Sequence, residues 1–430
     1  MLNKTHRIPG LILRDHNFSV PLDHSHPDKG KITVFGREIV APDQEKNELP
    51  WLIFFQGGPG FHAPRPMDNS GWLKQALKEF RVFLLDQRGT GRSTPVLPQT
   101  LTRFATPEDQ ANYLKHFRAD AIVQDAEWIR KELLGEEQKW SALGQSYGGF
   151  CITHYLSTAP DGLREAMITG GIPPQTDQPD EVYRATFQRV IDKNILYYAR
   201  YPGDIELVHQ IIDFLDRNIV TLPGGSHLTP RMFRQLGFEF GTSNGFETVH
   251  YLLENAFVQG KEGDELSYTF LRGVENALPF ELAPIFAVLH EPIYCQGSPS
   301  NWSAERIQRE FPVFEINEHQ PVYFTGEMVY AWMFDDYQNL RSLKPAAEIL
   351  ATNSNWPRLY NLDKLRSNEV PVVAAVYYDD MYVDRLLSER MADNIKGIRL
   401  WITNEHEHSA LRMHGEQVFG RLLQILRGEI

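Results

Sequence analysis

Ser146 is flanked two residues away on either side by glycine, in the order Gly144, Gln145, Ser146, Tyr147, Gly148. A serine so placed can attack a carbonyl carbon. A strand that reverses into a helix within one residue crowds its own backbone, and the glycines remove the Cβ atoms that would clash. The serine is held in an exposed, strained turn. The backbone N–H of Tyr147, first in the following helix, can then face a developing oxyanion. A serine hydroxyl is a weak nucleophile at neutral pH, so the chemistry also requires a base within hydrogen-bond reach and a third group that fixes the base's tautomer.

Both partners have candidates late in the chain. The apolar run 372–377 leads to Asp379 and Asp380, and the run 398–402 leads to Asn404, Glu405, His406, Glu407 and His408. Asp380 is favoured as the acid because it stands farther past the strand, immediately before Met381; Asp379 then reads as a solvated neighbour or turn former. His408 is favoured as the base because Ser409 and Ala410 follow it at the start of the last helix. His406 is the alternative, and His414 reads as a surface or capping residue. Two more loops belong to the same sheet edge. In Gln56, Gly57, Gly58, Pro59, Gly60 the missing side chains let backbone donors approach a carbonyl oxygen, which makes this loop the expected position of a second oxyanion donor. In Asp86–Ser93, DQRGTGRS, the aspartate and one of the arginines, Arg88 or Arg92, are expected as a buried pair bracing the loop and not as direct participants in catalysis.

The elements that must position these residues follow from hydrophobic periodicity. Strands are predicted at 11–20, 31–40, 51–55, 81–85, 140–143 and 166–169, with helices at 71–80 and 120–134. The alternation resumes with a strand at 370–377, a helix at 382–395, a strand at 398–402 and a helix at 409–426. This pattern predicts a mostly parallel sheet with helices on both faces. The aromatic, largely helical stretch between its halves reads as an insertion, so the chain divides into a core at 1–174, a cap at 175–333 and the rest of the core at 334–430.

The formal net charge of −13 excludes a nucleic-acid partner, because phosphate binding needs a positive stripe that this chain lacks. No apolar run is long enough to span a membrane. The N-terminal segment lacks the apolar stretch of a secretory signal, which points to the cytoplasm. The two cysteines, Cys151 and Cys295, make a disulfide framework unexpected, and Cys151 reads as a buried thiol in the helix after Ser146. No ligand spacing such as H-E-x-x-H occurs, so neither a metal nor another cofactor is expected.

Taken together, QGGPG at 56–60, DQRGTGRS at 86–93, GQSYGG at 144–149, DDM at 379–381 and EHSA at 407–410 resemble the proline iminopeptidase family of α/β-hydrolases, most of all its members with a larger cap. The resemblance covers the whole chain, with Gln56 standing where many members have His. It implies an α/β-hydrolase fold with an inserted, mainly helical cap, and a serine exopeptidase that releases N-terminal proline from short peptides with a free amine. It further implies Ser146, Asp380 and His408 as the triad and Gly58 with Tyr147 as oxyanion donors. The family uses cap glutamates to hold the substrate ammonium, and Glu254, Glu291 and Glu327 match best, among Tyr251, Phe257, Tyr294, Tyr323 and Trp332. An esterase, an amidase or a broader aminopeptidase would keep the same triad.

Overall fold

The computed structural model describes residues 2–261 and 263–430 and builds one nine-stranded sheet from them. Its first strands are β1 (Leu2–Ile8), β2 (Leu11–Pro21), β3 (Lys31–Val40), β4 (Trp51–Phe55), β5 (Arg81–Asp86), β6 (Trp140–Gln145) and β7 (Leu163–Thr169). A separate hairpin of β8 (Phe257–Gln259) and β9 (Asp264–Leu266) intervenes before β10 (Val372–Tyr377) and β11 (Ile398–Thr403) complete the sheet. Across the sheet the order is β1-β2-β3-β5-β4-β6-β7-β10-β11. The first three strands pair antiparallel, and the six from β5 to β11 are mutually parallel.

Side chains alternate across a strand, so the near-continuous apolar runs of the parallel strands require cover on both faces. Ile53 and Phe55 of β4, Phe83 and Leu85 of β5, and Ala374 and Val376 of β10 enter one core, which helices Ala119–Leu134 and Tyr147–Thr158 close. Leu52 and Phe54, Val82 and Leu84, and Val373 and Ala375 enter the other, closed by helices Gly71–Ala76 and Gly415–Arg427. Parallel strands all end at one edge, so β4, β6, β10 and β11 deliver the glycine loop, Ser146, Asp380 and His408 to the same place.

Several elements differ from the periodicity reading. The N-terminal segment forms β1, an edge strand folded back on β2 through Gly10, whose φ is 76°. The last helix is two: Ala410–Met413, then Gly415–Arg427, with His414 outside helical geometry. The break accommodates packing, since a Cβ on Gly415 would lie 2.5 Å from the Trp72 backbone nitrogen. Between β7 and β10 the chain is mainly helical, beginning with Asp180–Arg200, and the β8–β9 hairpin is its strand content among the described residues.

The expected Asp–Arg pair does not form between side chains within the segment: Arg92 goes to Asp15 and Arg88 to Asp125. Asp86 instead takes Arg65, with Nη1 donating to Oδ1 at 2.8 Å, and accepts the N–H groups of Ala63 and Arg92. Arg88 reaches Asp125 of helix Ala119–Leu134, with Nε donating to Oδ2 at 2.7 Å, and donates to the carbonyls of Leu22 and His116. A turn closed by Thr90 N–H on the Gln87 carbonyl separates the two residues and sends them to different neighbours. The brace therefore joins the loop to a helix. Both partners are fully buried, so removing the cation strands a carboxylate with only His24 beside it. Arg88→Met should lower stability by about 3–5 kcal/mol in urea unfolding; a loss below about 1 kcal/mol would show that the pair is not a structural tie.

Candidate active site

Ser146 sits between β6 and helix Tyr147–Thr158 with φ 54° and ψ −126°, a conformation that L-residues rarely adopt. Neighbouring backbone makes it obligatory. A Cβ on Gly148 would fall 2.0 Å from the Phe55 carbonyl oxygen, and one on Gly144 would fall 2.4 Å from the Gly148 oxygen. Ser146 N–H is tied to the Thr169 carbonyl at 2.9 Å, and its own carbonyl accepts Gly149 N–H at 2.7 Å. As the first residue of its helix, Tyr147 has no intrahelical carbonyl for its N–H. The glycine loop lies directly against the serine, because a Cβ on Gly57 would be 3.0 Å from Ser146 Cβ. Gly58 follows with φ 132° and a cis peptide to Pro59. The side chain of Gln56 is not what holds the loop; Gln87 Nε2 donates to the Gln56 carbonyl at 2.9 Å.

Asp380 and His408 meet across the ends of β10 and β11, with Nδ1 and Oδ2 2.7 Å apart. An ionised carboxylate only accepts, so Nδ1 carries the proton and Nε2 is left as the basic nitrogen. The other oxygen of Asp380 accepts the N–H groups of Tyr382 at 2.9 Å and Val383 at 3.0 Å, which fixes the carboxylate plane. Asp379 is exposed and lies 3.9 Å from Arg189. His406 packs on Trp401 and His414, away from the carboxylate. Burial works against a charged His408, but the nearby Asp380 carboxylate outweighs it, with Glu327 adding to the attraction and Arg412 opposing it, so the imidazole is raised above its usual value.

Ser146, Gly57, Gly58 and His408 share the wall of one cavity of about 520 Å³. Residues between β7 and β10, including Phe238, Glu239, Phe286 and Glu327, form much of the rest of the wall, with Phe61 and His62 after β4, Tyr382, and Arg412 after β11. A serine, a carboxylate-oriented histidine and small-residue backbone beside an apolar cleft are the parts of acyl transfer.

The chain is 48% identical over 98% of its length to the proline iminopeptidase of Aeromonas sobria, covering 98% of that protein. It is 37% identical to the proline iminopeptidase aneH of Aspergillus aculeatus, over 96% of this chain and 93% of that one. The chain belongs to the proline iminopeptidase family. A profile for the alpha/beta hydrolase fold matches residues 50–203. The crystal structure of a proline iminopeptidase from Mycobacterium smegmatis aligns over 96% of this chain and 98% of its own, at 14% identity and a TM-score of 0.45.

Within this family fold, the three cap glutamates predicted to receive an amine go to different places. Glu327 lines the cavity, with His290 Nε2 3.6 Å from its carboxylate. Glu291 is buried behind the wall; one oxygen accepts Ala304 N–H at 2.8 Å and burial raises its pKa. Glu254 is exposed, 3.4 Å from His250 of the preceding turn, and does not line the cavity. Sequence reasoning missed Glu239, a cavity carboxylate that burial raises and Arg412 pulls down. Its signal was a lone charge between Phe238 and Phe240 in an apolar tract. None of the aromatic residues expected as lining, Tyr251, Phe257, Tyr294, Tyr323 and Trp332, lines the cavity, and Tyr251 is exposed; Phe61, Phe238, Phe286 and Tyr382 supply its aromatic side chains.

The Asp380–His408 contact sets a measurable titration. The ring of His408 should titrate by NMR with a midpoint above about 6.5, and Asp380→Asn should move it downward, since burial is then opposed by less negative charge. An unchanged midpoint in the variant would mean that Asp380 does not govern the imidazole.

Proposed function

We propose that this protein releases N-terminal proline from short peptides through an acyl-enzyme, with Ser146 as nucleophile, His408 as base and Asp380 as the group that orients it. The observation that carries this reading is that His408, bonded to Asp380 through Nδ1, lines the same cavity as Ser146 and the glycine loop. Full-length similarity to proline iminopeptidases supports the choice of substrate.

In the first step the Ser146 Oγ–H bond breaks, its proton passes to His408 Nε2, and Oγ bonds to the prolyl carbonyl carbon. The carbonyl oxygen takes the negative charge and is met by the N–H groups of Gly58 and Tyr147, already aimed and requiring no reorganisation. Collapse of this adduct breaks the C–N bond, and the imidazolium returns its proton to the departing amine. A water then repeats the sequence on the prolyl ester, its proton going to His408 and the liberated Oγ recovering one. The steps above call on side chains and backbone.

What makes this an aminopeptidase is recognition of a free secondary ammonium. Glu327 supplies the carboxylate for it, with Glu239 as a second negative group on the cavity wall, while Phe238, Phe286 and Tyr382 give the pyrrolidine ring an apolar seat. Residues 175–333 act as the cap that carries Glu239, Phe238, Phe286 and Glu327 over the serine. Glu291 anchors the start of helix Ser303–Gln308 and supports the wall from behind. A cytoplasmic setting accords with Cys151 and Cys295, both buried and unbridged, with burial pushing both thiols up. Among the described residues no helix is long and apolar enough to cross a membrane.

Ser146→Ala should lower kcat for a prolyl arylamide by about 10⁴-fold or more; full retained activity would place the nucleophile elsewhere. N-acetylation of the proline should abolish cleavage, and faster turnover of a simple aryl ester lacking any amine would favour an esterase. Glu327→Gln should lower kcat/KM for the free-amine substrate by about 10–100-fold, the scale of one hydrogen-bonded charge. The same change at Glu254, outside the cavity, serves as its comparison; a loss there equal to that at Glu327 would refute this assignment of the amine site.

A further inference from the structure

One cation on the wall of the catalytic cavity, Arg412, is solvent-exposed and has no side-chain partner among the described residues. Arg412 is the single lysine or arginine among the cavity-lining residues, and its guanidinium makes no ion pair, hydrogen bond or ring contact among the described residues. Arg65, on the neighbouring loop, is spoken for by Asp86. His62, also in the wall, donates Nδ1–H to the Ala63 carbonyl at 2.7 Å. An arginine left free at the rim of a reaction cavity is a ready receptor for a carboxylate, because its planar fork matches the two oxygens.

Its position relative to His408 specifies which carboxylate. Arg412 follows His408 by one turn, in the short helix Ala410–Met413, and its backbone N–H bonds the Ser409 carbonyl at 2.9 Å. On the peptidase reading, His408 hands its proton to the departing amine, so the leaving portion of the peptide must extend past the imidazole. Glu327 belongs to the opposite, acyl-side task of holding the ammonium. The cavity wall thus carries carboxylates for one end of a zwitterion and a guanidinium for the other. Glu239 does not cancel that guanidinium: the two attract, but they form no ion pair. Length follows from reach. An extended chain advances about 3.3–3.6 Å per residue, and a cavity of about 520 Å³ is of the size that encloses small ligands, not a long chain.

We propose that Arg412 binds the C-terminal carboxylate of the leaving residue or dipeptide, so that the enzyme selects di- and tripeptides with a free C-terminus. This rests on the proline iminopeptidase reading, and the measurement separates the two. The specificity constant is determined for Pro-Ala and for its C-terminal amide, with prolyl arylamide as a third substrate lacking any carboxylate. In the parent enzyme the free acid should exceed the amide by about tenfold or more, the scale of a charge-assisted pair. Arg412→Gln should bring that ratio close to one, and Arg412→Lys should restore part of it. A parent ratio near one, or an undiminished ratio in Arg412→Gln, overturns the Arg412 assignment while prolyl arylamide cleavage still upholds the peptidase. Cleavage of none of the three substrates overturns both.

Discussion

Close contact of bare backbone around Ser146 is the constraint on which the site depends. Gly148 lies against the Phe55 carbonyl, Gly171 against the carbonyl of Ser146, and Gly149 against that of Gly171, each so near that a Cβ would sit 2.3 Å or less from the oxygen. These approaches bring the ends of β4, β6 and β7 together and hold Ser146 at a positive φ. Such strain costs on the order of 1–3 kcal/mol and persists only where surroundings over-determine it. Here they do. The apolar layers on both faces of the sheet fix the strands, and the strand ends leave the serine no other course. One arrangement therefore supplies a serine on the cavity wall, the helix-start N–H of Tyr147 and a glycine loop lying against the serine.

A second constraint couples the helix that follows β7 to the loops of Asp380 and His408. Along helix Asp180–Arg200, Arg189 and Lys193 stand four residues apart and share a face. Arg189 reaches Asp384 at 3.0 Å, just past Asp380, and Lys193 reaches Glu407, adjacent to His408. Lys193 is almost wholly buried, where an unpaired ammonium is costly. Its docking is therefore specific to the loop that carries His408. This helix holds the loops of both Asp380 and His408, so the cavity wall and the Asp380–His408 pair share one frame. The ring of Tyr382 joins them, standing edge-on to His408 at 4.8 Å while its hydroxyl donates to the Phe238 carbonyl on the cap side.

Local signals made much of this readable. Apolar runs of parallel strands, a glycine-flanked serine and acidic and histidine-bearing tracts after late strands are each consequences of short-range geometry, and they identified the sheet and the Asp380–His408 partners from the sequence. Long-range choices were less accessible. Asp86 and the arginines that follow it read as partners for one another, yet Asp86 takes Arg65, Arg88 takes Asp125 and Arg92 takes Asp15. Among the glutamates, Glu254, Glu291 and Glu327 all sit in aromatic tracts, but one is exposed, one is capped by Ala304 N–H and one faces the cavity. Glu239 and Arg412 had no spacing to mark them, because their meeting place is made by segments far apart in the chain.

By itself, then, the sequence determined the kind of chemistry, since the elbow needs glycines at set positions and Ser146, Asp380 and His408 stand at strand ends in order. The tertiary structure decided which charges face the cavity. Facing a shared cavity depends on how helices rotate and where loops turn once both cores have closed, and a chain read residue by residue carries no record of that rotation.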